Sequence, residues 1–176
     1  NPDTREKIPV GGVSTSSDPD DYDGDGDLQP DPGGMPYLNI FSLPTAGESG
    51  GLASGTEQYY SVDYGNVHIV SLDSQVSARD PGQRETMKQW LIADLARNDR
   101  DWTIVIFHHP PYTKGANHDS DDARGGLGVD QPEWDMRNEF TPVFEDDGVD
   151  VVYSGHSHSY ERSCYLRGHT GTSDTF

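Results

Sequence analysis

Basic side chains are scarce in this sequence. Across 176 residues there are 12 Lys and Arg against 31 Asp and Glu, which gives a formal net charge of −19 at pH 7. Neutralising the phosphates of a nucleic acid, or the headgroups of an anionic membrane, requires clustered Lys and Arg. The composition therefore excludes binding to a nucleic-acid backbone or to an anionic membrane surface from the functions considered below.

Cysteine is nearly absent and long apolar runs are missing. The single cysteine, Cys164, excludes an internal disulfide framework, and we interpret it as a small buried thiol. No apolar run reaches the roughly 18 residues that a membrane helix requires. No signal peptide opens the chain, which begins with Asn1 rather than Met. We therefore expect the sequence to be an internal piece of a longer protein.

The first part of the chain differs in composition from the remainder. Residues 1–36 hold few apolar side chains and many Asp, Gly, Pro and Ser. Such a segment has little surface to bury in a core. We predict an acidic Gly/Pro/Asp-rich loop or arm over residues 1–36 and a folded domain over residues 37–176.

The acidic arm contains a partial calcium-binding pattern. Asp21, Asp23 and Asp25, followed by Gly26, match the first positions of an EF-hand loop. The last ligand position, which requires an acidic side chain, is Pro32, and no helices flank the loop. Calcium binding by these aspartates is a hypothesis, and a solvated acidic loop is the favoured interpretation.

Strand and helix patterns alternate after residue 37. Helical periodicity begins at Pro81 and again near Glu133, where we expect Thr141 to be an N-cap that restarts the second helix before Pro142. Strands are predicted at residues 58–63, 67–73, 103–107 and 149–155. This order predicts an α/β fold with covered strands.

Ligand-capable side chains follow the predicted strands directly. His108 and His109 end one strand, and His156 and His158 follow another. The carboxyl ends of strands in an α/β sheet meet at one edge, where ligands bind. If His156 and His158 lie in extended backbone, both rings point the same way. A lone histidine at a strand end is more often structural, but the combination favours a metal site.

The two histidine segments carry a family resemblance. "FHHPPYTKGANHDSDD" and "GVDVVYSGHSHSYERS" resemble the last two motifs of the calcineurin-like metallophosphoesterases, and most closely those of the purple acid phosphatase branch in its bacterial form. "YYSVDYGNVHIVSLDS" resembles the strand pair that precedes those motifs in that branch. The resemblance implies an α/β fold, part of a four-layer αββα sandwich with mixed sheets, and residues 37–176 as the C-terminal portion of the catalytic domain.

The resemblance also implies roles for individual residues. His108 and His156 would bind one metal ion and His158 the other, in a centre of Fe paired with Zn, Mn or Fe. His118 would contact the phosphate ester substrate and protonate its leaving group. Asn117 would bind substrate at a position where some members have another histidine.

The residues around the expected ligands receive supporting roles. His109, the variable position of the His-x-Pro motif, is expected to be structural or to support a ligand. Tyr160, Glu161 and Arg162 are expected to anchor the loop that carries His156 and His158, rather than to touch substrate.

Half of the family pattern is missing from this chain. None of the motifs Asp-x-His, Gly-Asp-x-x-Tyr and Gly-Asn-His, which supply the other ligands and the bridging carboxylate, occurs in the sequence. Asp73 follows a strand, but nothing in the family pattern makes it a ligand. We therefore expect the chain alone to bind metal weakly and to catalyse poorly or not at all.

Several functions stay open from the sequence. Hydrolysis of phosphate monoesters is the leading prediction, with a phosphodiesterase or nucleotidase on the same scaffold as the first alternative. A non-catalytic metal- or calcium-binding module is the second alternative. The family resemblance also implies a secreted, periplasmic or extracellular protein, whereas the oligomeric state cannot be predicted.

Overall fold

The computed structural model describes residues 41–75, 78, 80–115, 118–121 and 131–175. The chain divides into two units, Asn1–Leu43 and Pro44–Phe176. All the elements below belong to the second unit. The predicted acidic arm and its calcium hypothesis, with Asp21, Asp23 and Asp25, lie outside the described residues.

A four-stranded mixed sheet organises the second unit. Its strands are β1 (Tyr60–Tyr64), β2 (Val67–Ser71), β3 (Trp102–Ile106) and, after two short strands introduced below, β6 (Val151–Tyr153), in the order β1-β2-β3-β6. β1 and β2 form an antiparallel hairpin, whereas β2, β3 and β6 run parallel. The predicted α/β class with a mixed sheet is confirmed.

Helix α1 (Pro81–Leu95) connects β2 to β3. Asp80 is its N-cap, and the carboxylate accepts the backbone N–H of Gln83 at 2.8 Å. Pro81 lacks an N–H to satisfy at this position, which is why proline is tolerated in the first turn. The predicted apolar stripe is confirmed, because its four members are buried: Met87, Trp90, Leu91 and Leu95.

A continuous helical segment connects β3 to β6, but its interior differs from the prediction. It consists of α2 (Gln131–Asp135), a π-helical turn (Met136–Phe140) and α3 (Thr141–Asp146). Thr141 has helical backbone angles, and its backbone N–H and hydroxyl both donate back to the carbonyl of Met136 rather than capping α3, so the predicted restart at an N-cap is wrong. A π-helical turn inserts a residue without ending a helix, and Pro142 lies directly after it in the first turn of α3.

One face of the sheet packs against these helices. Val70 of β2 and Val105 of β3 are in register and fully buried. They belong to a core cluster that includes residues of α1, the π-helical turn and α3, with Met87, Leu91, Met136 and Phe140 fully buried. The ring of Phe107 stacks on that of Phe144 at a centroid distance of 5.9 Å. Both helical connections therefore contribute to one core.

The opposite face of the sheet carries exposed apolar side chains. The strand register places Trp102 and Ile106 of β3 on this face with Val151 and Tyr153 of β6. Their exposed fractions range from 37% for Ile106 to 62% for Tyr153. β2 shows the same asymmetry: His68 and Val70 are buried, and the alternate residues are half-buried. The prediction of strands buried on both faces is wrong for the described structure.

The long loop after β3 contains a short hairpin that the sequence did not predict. It pairs β4 (Lys114–Gly115) with β5 (His118–Asp119) in antiparallel register. After β6 the chain is mostly exposed, including Cys164, so the prediction of a buried thiol is wrong. Among the described residues, no helix has both the length and the apolar character needed to cross a membrane.

Candidate metal centre

Two histidine segments meet at the carboxyl ends of β3 and β6. His108 follows β3 and His156 follows β6, and the parallel pairing of the two strands brings the segments together. The backbone N–H of Gly155 donates to the carbonyl of His108 at 2.9 Å, which extends the strand pairing into the loops. A β-carbon at Gly155 would make only ordinary contacts with His108, so space does not require glycine there.

The imidazoles of His108 and His156 face each other at ligand spacing. Nε2 of His108 lies 3.1 Å from Nδ1 of His156. Two nitrogen ligands on one tetrahedral ion, each about 2.0–2.1 Å from the metal, lie roughly 3.3 Å apart. Imidazole nitrogen also suits both Zn and Fe. The pair therefore fits the metal ion that the sequence resemblance implied.

The loop that carries His156 and His158 is not extended, contrary to the sequence interpretation. The φ angle is +65° at His156 and +53° at His158, so both residues are in the left-handed region. For a residue with a β-carbon, this conformation costs about 1–2 kcal/mol. Residues in such conformations cluster at functional sites, where the surrounding structure holds them.

His109 is buried beside this pair. Its exposed fraction is 4%, and its ring centroid lies 4.4 Å from that of His156. The backbone N–H of His109 donates to Oγ of Ser74 at 3.1 Å, and the same oxygen lies 2.9 Å from Nδ1 of His109. A hydroxyl that accepts from the backbone can donate to Nδ1, which puts the ring proton of neutral His109 on Nε2. Ser74 thus fixes the orientation of His109.

His118 reaches the cluster from the β4–β5 hairpin. Its ring centroid lies 4.0 Å from that of His156, the shortest ring distance among the described histidines. The hairpin itself packs closely on the histidine loop, because a β-carbon on Gly115 would lie 2.8 Å from Cβ of Ser157. Asn117, the other predicted substrate contact, lies outside the described residues.

A buried arginine holds the segment that carries His118. Arg137 is 2% exposed; its Nε donates to the carbonyl of Pro111 at 2.6 Å, and its Nη2 donates to Oγ of Ser120. Its Nη1 donates to the carbonyl of Gly171 at 3.1 Å. The guanidinium also lies over the ring of Tyr112, 5.0 Å from its centroid. One side chain of the helical segment therefore fixes both ends of the loop around the hairpin.

Glu133 is a site residue that sequence reasoning missed. It is fully buried at the start of α2. Ligand atoms of His118, Glu133 and His156 all lie within 4.8 Å of one another, and those of His108, His109 and His156 form a second such group. An acidic residue in the first turn of a helix is ordinary, because it complements the helix dipole. The sequence therefore gave no signal that set Glu133 apart.

The environment of His108 favours its neutral form. His108 is exposed, but partial desolvation of its ring still lowers its pKa, and positive charge on the neighbouring His158 or His118 would lower it further. A metal ion requires the neutral imidazole, whose lone pair is available. Because the pKa of His108 is lowered, fewer protons must be released when it binds a metal ion near neutral pH.

The other predicted residues lie outside the two groups of ligand atoms. His158 is exposed and belongs to neither compact group of ligand atoms among the described residues. Tyr160 is 92% exposed, and Arg162 is also exposed. Glu161 accepts the backbone N–H of Lys114 at 3.2 Å, which ties the histidine loop to the hairpin. The carboxylate of Asp73 accepts the backbone N–H of Gln75 in a local turn.

Comparisons with known proteins find relatives for most of this chain. The profile of the calcineurin-like phosphoesterase family matches residues 18–160. Purple acid phosphatase 18 of Arabidopsis thaliana is 35% identical over 125 residues, which are 69% of this chain and 25% of that protein. Purple acid phosphatase 23 of the same plant is 30% identical over 155 residues, or 84% of this chain and 30% of that protein.

A solved structure shows the same fold. Purple acid phosphatase PPD1 from yellow lupin seeds superposes with a TM-score of 0.51 at 21% identity, over 76% of this chain and 21% of that one. The chain thus spans about a quarter of the length of the relatives that it matches. The profile match covers well over half of this chain and includes both histidine segments. The chain belongs to the calcineurin-like phosphoesterase family.

Proposed function

We propose that this chain forms part of the active site of an acid phosphatase-like enzyme that hydrolyses phosphate monoesters. The observation that carries the proposal is the 3.1 Å separation of His108 Nε2 and His156 Nδ1 at a sheet edge that His118 also reaches. Family membership supports phosphoester hydrolysis in general. The monoester preference, the binuclear centre and a secreted, periplasmic or extracellular location rest on the similarity to purple acid phosphatases.

In this proposal the histidines have different roles. His108 and His156 would hold one metal ion through their facing ring nitrogens, and His158 would hold a second. Bound metal ions of this kind lower the pKa of water and stabilise the charge on phosphoester oxygens. Residues beyond this chain complete the centre, including the bridging carboxylate. The metals themselves, Fe with Zn, Mn or Fe, are inferred from the family.

His118 acts on the leaving group. In its protonated form the imidazole donates a hydrogen bond to a phosphate oxygen and then a proton to the departing alkoxide. General acid catalysis of this type contributes about 10²–10⁴-fold to the rate. The clamp formed by Arg137 and the contact of Gly115 with Ser157 hold His118 in position. His109, fixed by Ser74, supports the ring of His156 and is not a metal ligand here.

Mutagenesis of the gene product that contains this chain tests the proposal. With p-nitrophenyl phosphate as substrate, His108→Ala and His156→Ala should abolish hydrolysis and metal binding together. With an alkyl phosphate such as glycerol 2-phosphate, whose alkoxide leaving group needs a proton, His118→Ala should lower kcat by about 10²–10⁴-fold and leave metal content unchanged, with a smaller loss on p-nitrophenyl phosphate. His169→Ala is the control, because His169 bonds to Thr172 and lies outside both histidine groups.

The same assay separates the alternatives. Faster hydrolysis of bis-p-nitrophenyl phosphate than of the monoester would replace the proposal by a phosphodiesterase. Full activity in His108→Ala would overturn the assignment of the site. A complete gene product that binds metal without hydrolysing either ester would be a binding module.

A further inference from the structure

We propose that Asp121 is a positioning residue for His118. Its carboxylate holds one face of the β4–β5 hairpin, so that the opposite face presents His118 to the histidine centre. Asp121 acts through the hairpin rather than on the substrate. This inference rests on the role of His118 proposed above and extends it to a residue with no role assigned from the sequence.

The two faces of the hairpin have different surroundings. Cross-strand partners share a face, and neighbouring residues alternate between faces. The register pairs Gly115 with His118 and Lys114 with Asp119. The face with Gly115 meets the histidine loop, because a β-carbon on Gly115 would lie 2.8 Å from Cβ of Ser157. His118 therefore lies on this inner face, whereas Lys114 and Asp119 lie on the outer face.

Asp121 joins the outer face to two other parts of the chain. Its carboxylate accepts the backbone N–H of Ser173 at 3.1 Å and the hydroxyl of Ser173 at 2.7 Å. It also accepts a hydrogen bond from the ammonium of Lys114, and its Oδ1 lies 3.6 Å from Nη1 of Arg137. The hairpin, the helical segment and the chain after β6 therefore converge on one carboxylate.

The charge of Asp121 is needed at this point. Within the described part of the chain, Asp121 is the carboxylate that ion-pairs with buried Arg137. Burial alone would raise the pKa of Asp121, but hydrogen bonds from Lys114 and Ser173 and the charge of Lys114 lower it far below its ordinary range. An ion pair with an exposed lysine stabilises little. Removing the partner of a buried arginine and the acceptor of two Ser173 donors has a larger cost.

The position of His118 depends on these contacts. Arg137 donates from Nη2 to Oγ of Ser120, the residue between the hairpin and Asp121. A general acid must lie within hydrogen-bonding distance of the leaving oxygen, and a displacement of about 1 Å can lower a rate about 10²-fold. A neutral side chain at position 121 would loosen the outer face and move His118 away from that distance.

Asp121→Asn in the gene product that contains this chain tests the assignment. kcat is measured on glycerol 2-phosphate, whose alkoxide leaving group needs a proton, and on p-nitrophenyl phosphate, whose phenolate leaves with little help from an acid. We expect kcat to fall at least about tenfold on the first substrate and less than about threefold on the second. A defect that only lowers the fraction of folded enzyme would lower both rates equally, so the ratio of the two rates reports the position of His118.

Glu145→Gln is the matched control. Glu145 of α3 accepts the backbone N–H of Gly168 at 2.7 Å, so it also holds the chain after β6, but without contacting the hairpin. The ratio of rates should stay unchanged in this variant. Asp121→Glu keeps the charge and should recover most of the ratio. Amide exchange over β4 and β5, measured without metal, should increase in Asp121→Asn and not in Glu145→Gln.

Folding of each variant is checked by its unfolding midpoint. If Asp121→Asn does not fold, Ser173→Ala takes its place, because it removes one donor to Asp121 and leaves the charge. Ser173→Ala should lower the ratio of rates in the same direction by a smaller factor. An unchanged ratio in that variant, together with unchanged amide exchange in the hairpin, would then overturn the inference.

The outcomes separate this inference from the proposed function. An unchanged ratio in Asp121→Asn, or equal losses on both substrates, overturns the inference when His118→Ala does lower the ratio. Adding Asp121→Asn to His118→Ala should lower the ratio no further, and a further fall would show that Asp121 acts through another group. If His118→Ala itself leaves the ratio unchanged, the proposed role of His118 fails, and this inference with it.

Discussion

His68 is a buried residue held between two carboxylates, outside the candidate metal centre. It is 2% exposed, and its Nδ1 and Nε2 lie 2.7 Å from Asp63 and 2.9 Å from Asp94. Only the imidazolium has an N–H on both nitrogens, so His68 is a buried cation between two carboxylates. Burial alone would lower the pKa of His68, but the hydrogen bonds and charges of Asp94 and Asp63 raise it overall.

The pH dependence of stability follows from this arrangement. Because the pKa of His68 is higher in the folded than in the unfolded chain, its contribution is fully present below about pH 6.5 and declines as pH rises through the folded-state pKa. Denaturant unfolding between pH 5 and 9 should therefore show a free energy of unfolding that falls with pH. His68→Gln should flatten this slope. An equal slope in both proteins would contradict the prediction.

The contribution of Asp63 to stability has the opposite pH dependence to that of His68. Burial alone would raise its pKa, but hydrogen bonds from His68 and Arg100 lower it overall. A carboxyl whose pKa is lower in the folded chain contributes stability above its ordinary pKa, and this is lost as pH falls through the folded value. The network formed by Asp63, His68 and Asp94 is therefore most favourable at mildly acidic pH.

At the scale of elements, the contact between the β4–β5 hairpin and the histidine loop depends on one glycine. Gly115→Ala would place a methyl group 2.8 Å from Cβ of Ser157. We expect the variant to lose about 1–3 kcal/mol of stability, because neither backbone can move away without cost. Gly155→Ala, whose methyl group would be 3.6 Å from His108, is the control and should be nearly neutral. Thermal unfolding without metal measures both.

The arginine clamp gives a second prediction at this scale. Arg137→Lys keeps the charge but cannot donate to Pro111, Ser120 and Gly171 together, because an ammonium lacks the planar fork. We expect a loss of roughly 3 kcal/mol or more. Amide exchange between residues 111 and 121 should also increase. Unchanged exchange in that loop would show that other contacts hold it.

The sequence predicted the helices, strands and sites that depend on local residue patterns. The stripe of Met87, Trp90, Leu91 and Leu95 identified α1, and the position of histidines after strands identified the edge where His108 and His156 meet. It did not predict the π-helical turn, since the choice between an N-cap at Thr141 and a wider helical turn depends on tertiary packing. Glu133 and Ser74 were missed for a similar reason, because only the folded chain brings them to the histidines.

At the scale of the whole molecule, the acidic surplus dominates. With a net charge of −19, the folded chain repels itself, and added salt screens that repulsion over a Debye length of about 8–10 Å near physiological ionic strength. The unfolding temperature should therefore rise as NaCl increases from low to moderate concentration at pH 7. A falling temperature would mean that screened ion pairs outweigh the net charge.

The His68 network and the candidate metal centre lie toward opposite ends of the same sheet. His68 is near the start of β2, whereas His108 and His156 follow the carboxyl ends of β3 and β6. From His68 to the end of β2 the strand rises roughly 10 Å, and the carboxylates of Asp63 and Asp94 lie next to the imidazolium and offset its charge. The two ionisations therefore act almost independently. A rate profile against pH would test the proposed chemistry at the histidine end of the sheet, whereas an unfolding profile against pH reports the His68 network at the other end.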